Sequence, residues 1–257
     1  MGNKIISEPF ALEVSQGKWK QYTKMDKYGI TPSLDTDDVS DVWEFGGEYI
    51  FSDVADIGKI SSSSVLDTQE VIVYGLDEEG YEVEEVITLQ GRTPVDLPTN
   101  LWRIFRMINN AAAGNDINGT VYVYVSDATV VAGVPSEDEK VRAIMGSSNQ
   151  TLMAIYTIPK GKTGYLMKGQ VGMSRRSSTG DLTFKYKSRR VGKVFNNKFQ
   201  GALTVSGNSY FKDVRSFPDQ IPELTDIVIN VSEVSRSGMS VFAAFDILLE
   251  DNTYKEG

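Results

Sequence analysis

The segment 71–91, VIVYGLDEEGYEVEEVITLQG, constrains this chain more than any other. Val71, Val73 and Gly75 share one parity, and Val83, the pair Val86–Ile87 and Leu89 follow the acidic stretch DEEGY. A period of two sends successive side chains to opposite faces of a strand. Two such runs joined by Asp, Glu and Gly predict an antiparallel hairpin with a tight acidic turn. The carboxylates of 77–85 crowd one tip, where repulsion keeps them in water. Glycosidic chemistry would need a pair facing each other across a cleft.

The same style runs through the chain. VWEFGGEYIF reads as a strand interrupted at Gly46–Gly47, and GKISSSSVLDTQ as a Ser-rich loop entering the hairpin. LWRIFRMINN (101–110) has apolar residues on both parities, so periodicity alone leaves helix and strand open. Its β-branched and aromatic content favours a strand. GTVYVYVSD is a further strand. Six more candidates follow: TLMAIYTIP, TGYLMKGQVGMS, DLTFKYKSRRV, KFQGALTVS, TDIVINVSEVS and SVFAAFDILLED. Strands at this spacing, separated by turn residues, predict an all-β chain of two antiparallel β-sandwich, jelly-roll-like domains. The expected division is an N-terminal sandwich with an irregular arm over 1–132, a polar linker over 133–149, and a C-terminal sandwich over 150–257.

Two missing residue types narrow the chemistry. There is no Cys and no His. Thiol nucleophiles, disulfides and thiolate metal sites are therefore excluded, together with the commonest general base and metal ligand. PKGKTG (159–164) sounds like a phosphate loop, but Tyr156 stands where the first Gly is required. A hairpin turn is expected there instead. DTDDVSD (Asp35–Asp41) offers oxygen ligands for calcium, yet Val39 takes a ligand position of the EF-hand pattern. A solvated loop is the plainer expectation. No enzyme activity, cofactor or metal is expected. The N-terminus has no apolar core of signal-peptide length, and Ile6 stands where the acylation motif wants Ser or Thr. A protein made in a cytosol, without membrane association, is expected.

The net charge of −9 is divided unevenly. Residues 1–150 hold 11 Lys/Arg against 25 Asp/Glu, and residues 151–257 hold 15 against 10. Arg175, Arg176, Lys185, Lys187, Arg189, Arg190 and Lys193 form a candidate basic docking face for an acidic partner, such as the N-terminal half of another copy. The acidic whole argues against nucleic acid as that partner. Trp19, Tyr22, Trp43, Tyr49, Tyr81, Trp102 and Tyr210 are either core residues or stacking platforms for sugars.

Five stretches occur in a telling order: KYGITPSLDTDDVSDVWEFGGEY, ISSSSVLDTQEVIVYGLDEEGYEVEEVITLQG, WRIFRM, NQTLMAIYTIPKGKTGYL and IPELTDIVINV. The series resembles a group of virion structural proteins of tailed bacteriophages, common in phages of marine bacteria. The resemblance runs from about Lys27 to Asp251 and contains no catalytic motif. It implies a virion component assembled in the host bacterial cytoplasm. The expected role is an accessory head protein (decoration or vertex) or a neck or tail protein that forms homo-oligomers and binds capsid, portal or tail partners. The alternative is a tail module that binds a receptor or a host surface glycan.

Overall fold

The structure, a computed structural model, describes residues 9–175, 179–205 and 208–255. A six-residue helix, α1 (Phe10–Ser15), precedes β1 (Tyr22–Leu34) and β2 (Ser40–Asp41). The middle of the chain holds β3 (Ile57–Ser62), β4 (Glu70–Leu76), β5 (Glu82–Thr88), β6 (Val95–Leu101), β7 (Arg103–Asn109), β8 (Val121–Val125), β9 (Val130–Val131), β10 (Val134–Pro135) and β11 (Val141–Met145). The rest is β12 (Ile155–Thr157), β13 (Lys162–Ser174), β14 (Gly180–Arg190), β15 (Asn196–Val205), β16 (Asn208–Ile221), β17 (Thr225–Ser232) and β18 (Met239–Asp251). Every registered strand pair is antiparallel, as the patterning predicts. Among the described residues no helix is long and apolar enough to cross a membrane.

The hairpin forms as expected, with Gly75 opposite Val83 and Leu76 opposite Glu82. Val71, Val73, Ile87 and Leu89 are buried while Val86 is exposed, which resolves the ambiguous Val86–Ile87 pair. The turn closes on Asp77, whose Oδ1 accepts from the Tyr81 N–H at 2.9 Å. The sheets β5-β4-β7 and β11-β8-β3-β6 enclose one core, centred on Ile57, Ile60, Val73, Leu101, Met107 and Val123. The sheets β1-β18-β13-β16 and β12-β17-β14-β15 enclose a second, built on Phe184, Tyr186, Ile229, Val241 and Phe245.

Four expectations are corrected. The linker 133–149 is not a linker, because β11 lies inside it and pairs with β8, burying Val141, Ala143 and Met145. The N-terminal arm is not confined to the first sandwich either. β1 pairs with β18 from Tyr22 to Leu34, so it belongs to the second one. The stretch 42–51 is a turn and not a strand: Gly46 and Gly47 adopt φ of +83° and +70°, and the Trp43 indole donates to the Gly47 carbonyl at 3.0 Å. Residues 159–164 do form a turn, but it carries the chain from β12 to β13 in the facing sheet and closes no hairpin.

β1 can enter the second sandwich only because position 29 lacks a side chain. A Cβ there would lie 2.4 Å from both the Ala154 nitrogen and the Val42 carbonyl oxygen. Both are backbone atoms, so no rotamer change would relieve the clash.

Candidate functional site

The seven cations do not share a face. Strand alternation sends Lys185, Lys187 and Arg189 to one side of β14 and Arg190 to the other. The first side is covered by residues 41–52. Arg189 Nε donates to Asp226 Oδ2 at 3.1 Å, and its guanidinium lies over Phe195 and Phe51 at 4.5 and 5.2 Å. Lys187 is 4.0 Å from Glu48, and Lys185 donates to Ser232 Oγ at 3.2 Å. Arg175, just past the end of β13, donates to the carbonyls of Ser237 and Thr179. Arg176 lies outside the described residues. Arg190 and Lys193 are exposed, and with Lys198, Tyr186, Ser188 and Asp219 they line an open groove of about 580 Å³. Among the described residues of the basic stretch, only this part stands free to meet an acidic surface.

The strongest polar constellation is buried and structural. Asp226, with no solvent exposure, accepts from Arg103 Nε at 3.0 Å and Thr157 Oγ1 at 2.7 Å through one oxygen. The other oxygen accepts from Arg103 Nη2 and Arg189 Nε at 3.3 and 3.1 Å. Arg103 also donates to the Ser52 carbonyl, and its guanidinium lies 4.0 Å from the Trp102 ring centre. Arg103 stands on β7 of the first sandwich, while Thr157, Arg189 and Asp226 stand on β12, β14 and β17 of the second. The cluster therefore fastens one sandwich to the other. Of its members only Arg189, partly exposed, also lines the groove of Arg190 and Lys193.

The Asp35–Asp41 loop does not converge on a cation. Asp41 turns inward, accepting from the Tyr49 N–H and from Asn230 Nδ2, each at 2.8 Å. Burial pushes its carboxyl up to about 6. Asp35 and Asp37 remain exposed. Among the described residues no group of three or more acidic side chains is placed to hold a metal ion. Of the seven aromatics singled out in sequence, Trp43, Tyr49 and Trp102 are core, Tyr22 is half-buried, and Trp19, Tyr81 and Tyr210 are exposed.

Two displayed apolar features escape the sequence reading. Val65 and Leu66 are 61% and 67% exposed at the tip of the loop after β3. That loop is locked by buried Asp67, whose carboxylate accepts from Ser62 Oγ and from the backbone N–H groups of Asn118 and Gly119. Those bonds hold the Asp67 carboxyl below its usual range despite burial, which opposes them. Phe217 is 91% exposed on a bulge where β16 loses register with β13, between Val214 opposite Lys168 and Asp219 opposite Leu166. Arg215 braces that bulge, pairing with Asp213 at 2.9 Å on one side and with Asp219 on the other.

No protein-family model matches the chain, and none of the curated proteins matches it. Among solved structures, a chain described under "CBM4 structure and function" is similar over 52% of this chain and 68% of its own, at 12% identity and a TM-score of 0.22. A chain of infectious bursal disease virus Gt strain is similar over 94% of this chain and 77% of its own, at 12% identity and 0.22. The VP2 subviral particle of infectious bursal disease virus gives 90% and 77%, at 9% identity and 0.21. Likenesses this distant carry no argument about function.

Proposed function

We propose that this chain is a non-enzymatic structural protein of a bacteriophage virion, an accessory head, neck or tail component that self-associates and binds other virion proteins. One observation carries the reading: each sandwich displays a large apolar side chain on a braced backbone irregularity, Leu66 on a loop of the first and Phe217 on a strand bulge of the second. Exposed apolar groups cost solubility, and bracing them removes the ordering entropy that binding would otherwise have to overcome. Such anchors supply most of an interface's energy, while a groove like that of Arg190, Lys193 and Lys198 sets register. The resemblance of the order of its sequence motifs to that of tailed-phage virion proteins supports the same role.

The test is the mass of the purified chain by light scattering, together with its incorporation into particles. The parent is expected to form a defined oligomer. Leu66→Ser combined with Phe217→Ser is expected to give a folded chain of lower mass that no longer enters particles. A double variant with the parent's mass and incorporation would defeat the reading.

A further inference from the structure

The outer face of the sheet β1-β18-β13-β16 carries an aromatic floor. Phe242 on β18 and Tyr210 on β16 both stand opposite Gly172 on the strand between them. Gly172 is what lets them meet: a Cβ there would lie 2.2 Å from Phe242 Cε1. The two rings close over it at 6.2 Å between centres and 23° between planes. The Tyr210 hydroxyl is held by Gln170 Oε1 at 2.8 Å. Tyr28 stands in the next row, in register with Ala244, Gln170 and Lys212. Phe242, Tyr210 and Tyr28 are 42%, 53% and 39% exposed.

The borders of the floor are polar on both sides. Ser240, Ser174 and Asn208 share the row beyond the rings. On the other side, past Gln170 and Lys212, the pair Lys24–Asp26 runs along β1 at 2.8 Å and the pair Lys168–Asp246 crosses from β13 to β18 at 3.7 Å. These ion pairs separate the floor from the rest of the face.

We infer that Tyr210, Phe242 and Tyr28 form a binding site for a pyranose ring of a polysaccharide. A pyranose offers a C–H face, polarised positive, and a rim of equatorial hydroxyls. The first suits the negative faces of the rings, and the second suits the amide, ammonium and hydroxyl groups along both borders. A second copy of the chain fits less well. At 150–250 Å² per aromatic side chain, the three residues expose roughly 200–350 Å², against about 800 Å² per partner in a standard interface. The inference stands on the sheet face and is independent of the virion reading.

Calorimetric titration of the full chain with hexasaccharides of glucose, galactose and mannuronate tests it. At least one series is expected to bind, with Tyr210→Ala weakening it about tenfold or more, which corresponds to roughly 1.4 kcal/mol. Tyr210→Phe, which keeps the ring and loses only the bond to Gln170, is expected to bind within about threefold of the parent. Both variants should melt with the parent. Absence of binding by all three series up to about 10 mM, near the weakest affinity worth the name, overturns the inference. So does undiminished binding by Tyr210→Ala, a fall in oligomer mass as the only effect of that substitution, or displacement of the sugar by oligo(dT).

Discussion

Replacing Asp226 by Asn is expected to cost this protein about 3–5 kcal/mol of stability, the usual price of breaking a buried ion pair from one side. The side chain of Arg103 is only 4% exposed and has no water to turn to. Asn keeps the shape and the acceptor for Thr157 Oγ1 but withdraws the negative charge, leaving a buried guanidinium held by carbonyls and ring faces. Arg189 is less demanding, since its side chain is 24% exposed. Arg189→Leu should therefore cost clearly less than Asp226→Asn, and Leu would retain part of the packing on Phe51 and Phe195. Replacing both members of the tighter pair, Asp226→Leu with Arg103→Met, should recover much of the single-variant loss, because the one charge then left without its carboxylate, Arg189, is partly exposed. Urea unfolding of the four proteins measures all of this. A loss below about 1 kcal/mol for Asp226→Asn, the scale of an exposed ion pair, would mean that the cluster does not fasten the two sandwiches.

That cluster could not be read from the sequence. Arg103 and Asp226 lie 123 positions apart and Arg189 and Asp226 lie 37 apart, with no local spacing to announce them. Arg189 looked like one more member of a basic stretch, and charge counting cannot tell a cation on a surface from one consumed inside. Strands with alternating apolar residues were legible wherever one face meets a core, as at Val71–Val73 and Val121–Val125. β3 was read as a loop because its buried polar residues are serines. Ser61 Oγ is satisfied by the Tyr124 hydroxyl and the Gly133 carbonyl, each at 2.9 Å, which no composition rule foresees. β16 was passed over because it is an exposed edge strand broken by the Phe217 bulge, one of the devices that keep edges from pairing indiscriminately. The same devices hid Phe217 itself, since a lone exposed Phe and a core Phe look alike in sequence.

β1 was hidden by the oddest residue of its inner face, and that residue leads to the second large expected effect. Lys27 is buried opposite Phe245 and donates to the carbonyl of Phe105. The partnership has a local cause. The pairing of β4 with β7 jumps from Tyr74 opposite Arg106 to Gly75 opposite Ile104, so Phe105 is passed over. Lys27 supplies a donor to the carbonyl at this irregularity. Burial, with a smaller contribution from the charge of Arg106, lowers its ammonium from the ordinary 10.5 to about 7. Between those values the unfolded chain holds a proton that the folded chain has released. Stability must therefore rise as pH climbs from about 7 towards 10.5, and it gains nothing further from this group below 7. Lys27→Met cannot titrate and serves as the reference. The stability difference, parent minus variant, is expected to grow by about 1.4 kcal/mol per pH unit across that window, for a total of roughly 5 kcal/mol. Taking the difference cancels the other groups that titrate there, and the lost bond to Phe105 enters only as a constant offset, so the slope isolates Lys27. Urea titrations of both proteins at several values between pH 6 and 10 measure it. A difference that stays level across the window would mean that Lys27 keeps its proton in the folded chain, and that the Phe105 carbonyl and its surroundings solvate a full ammonium.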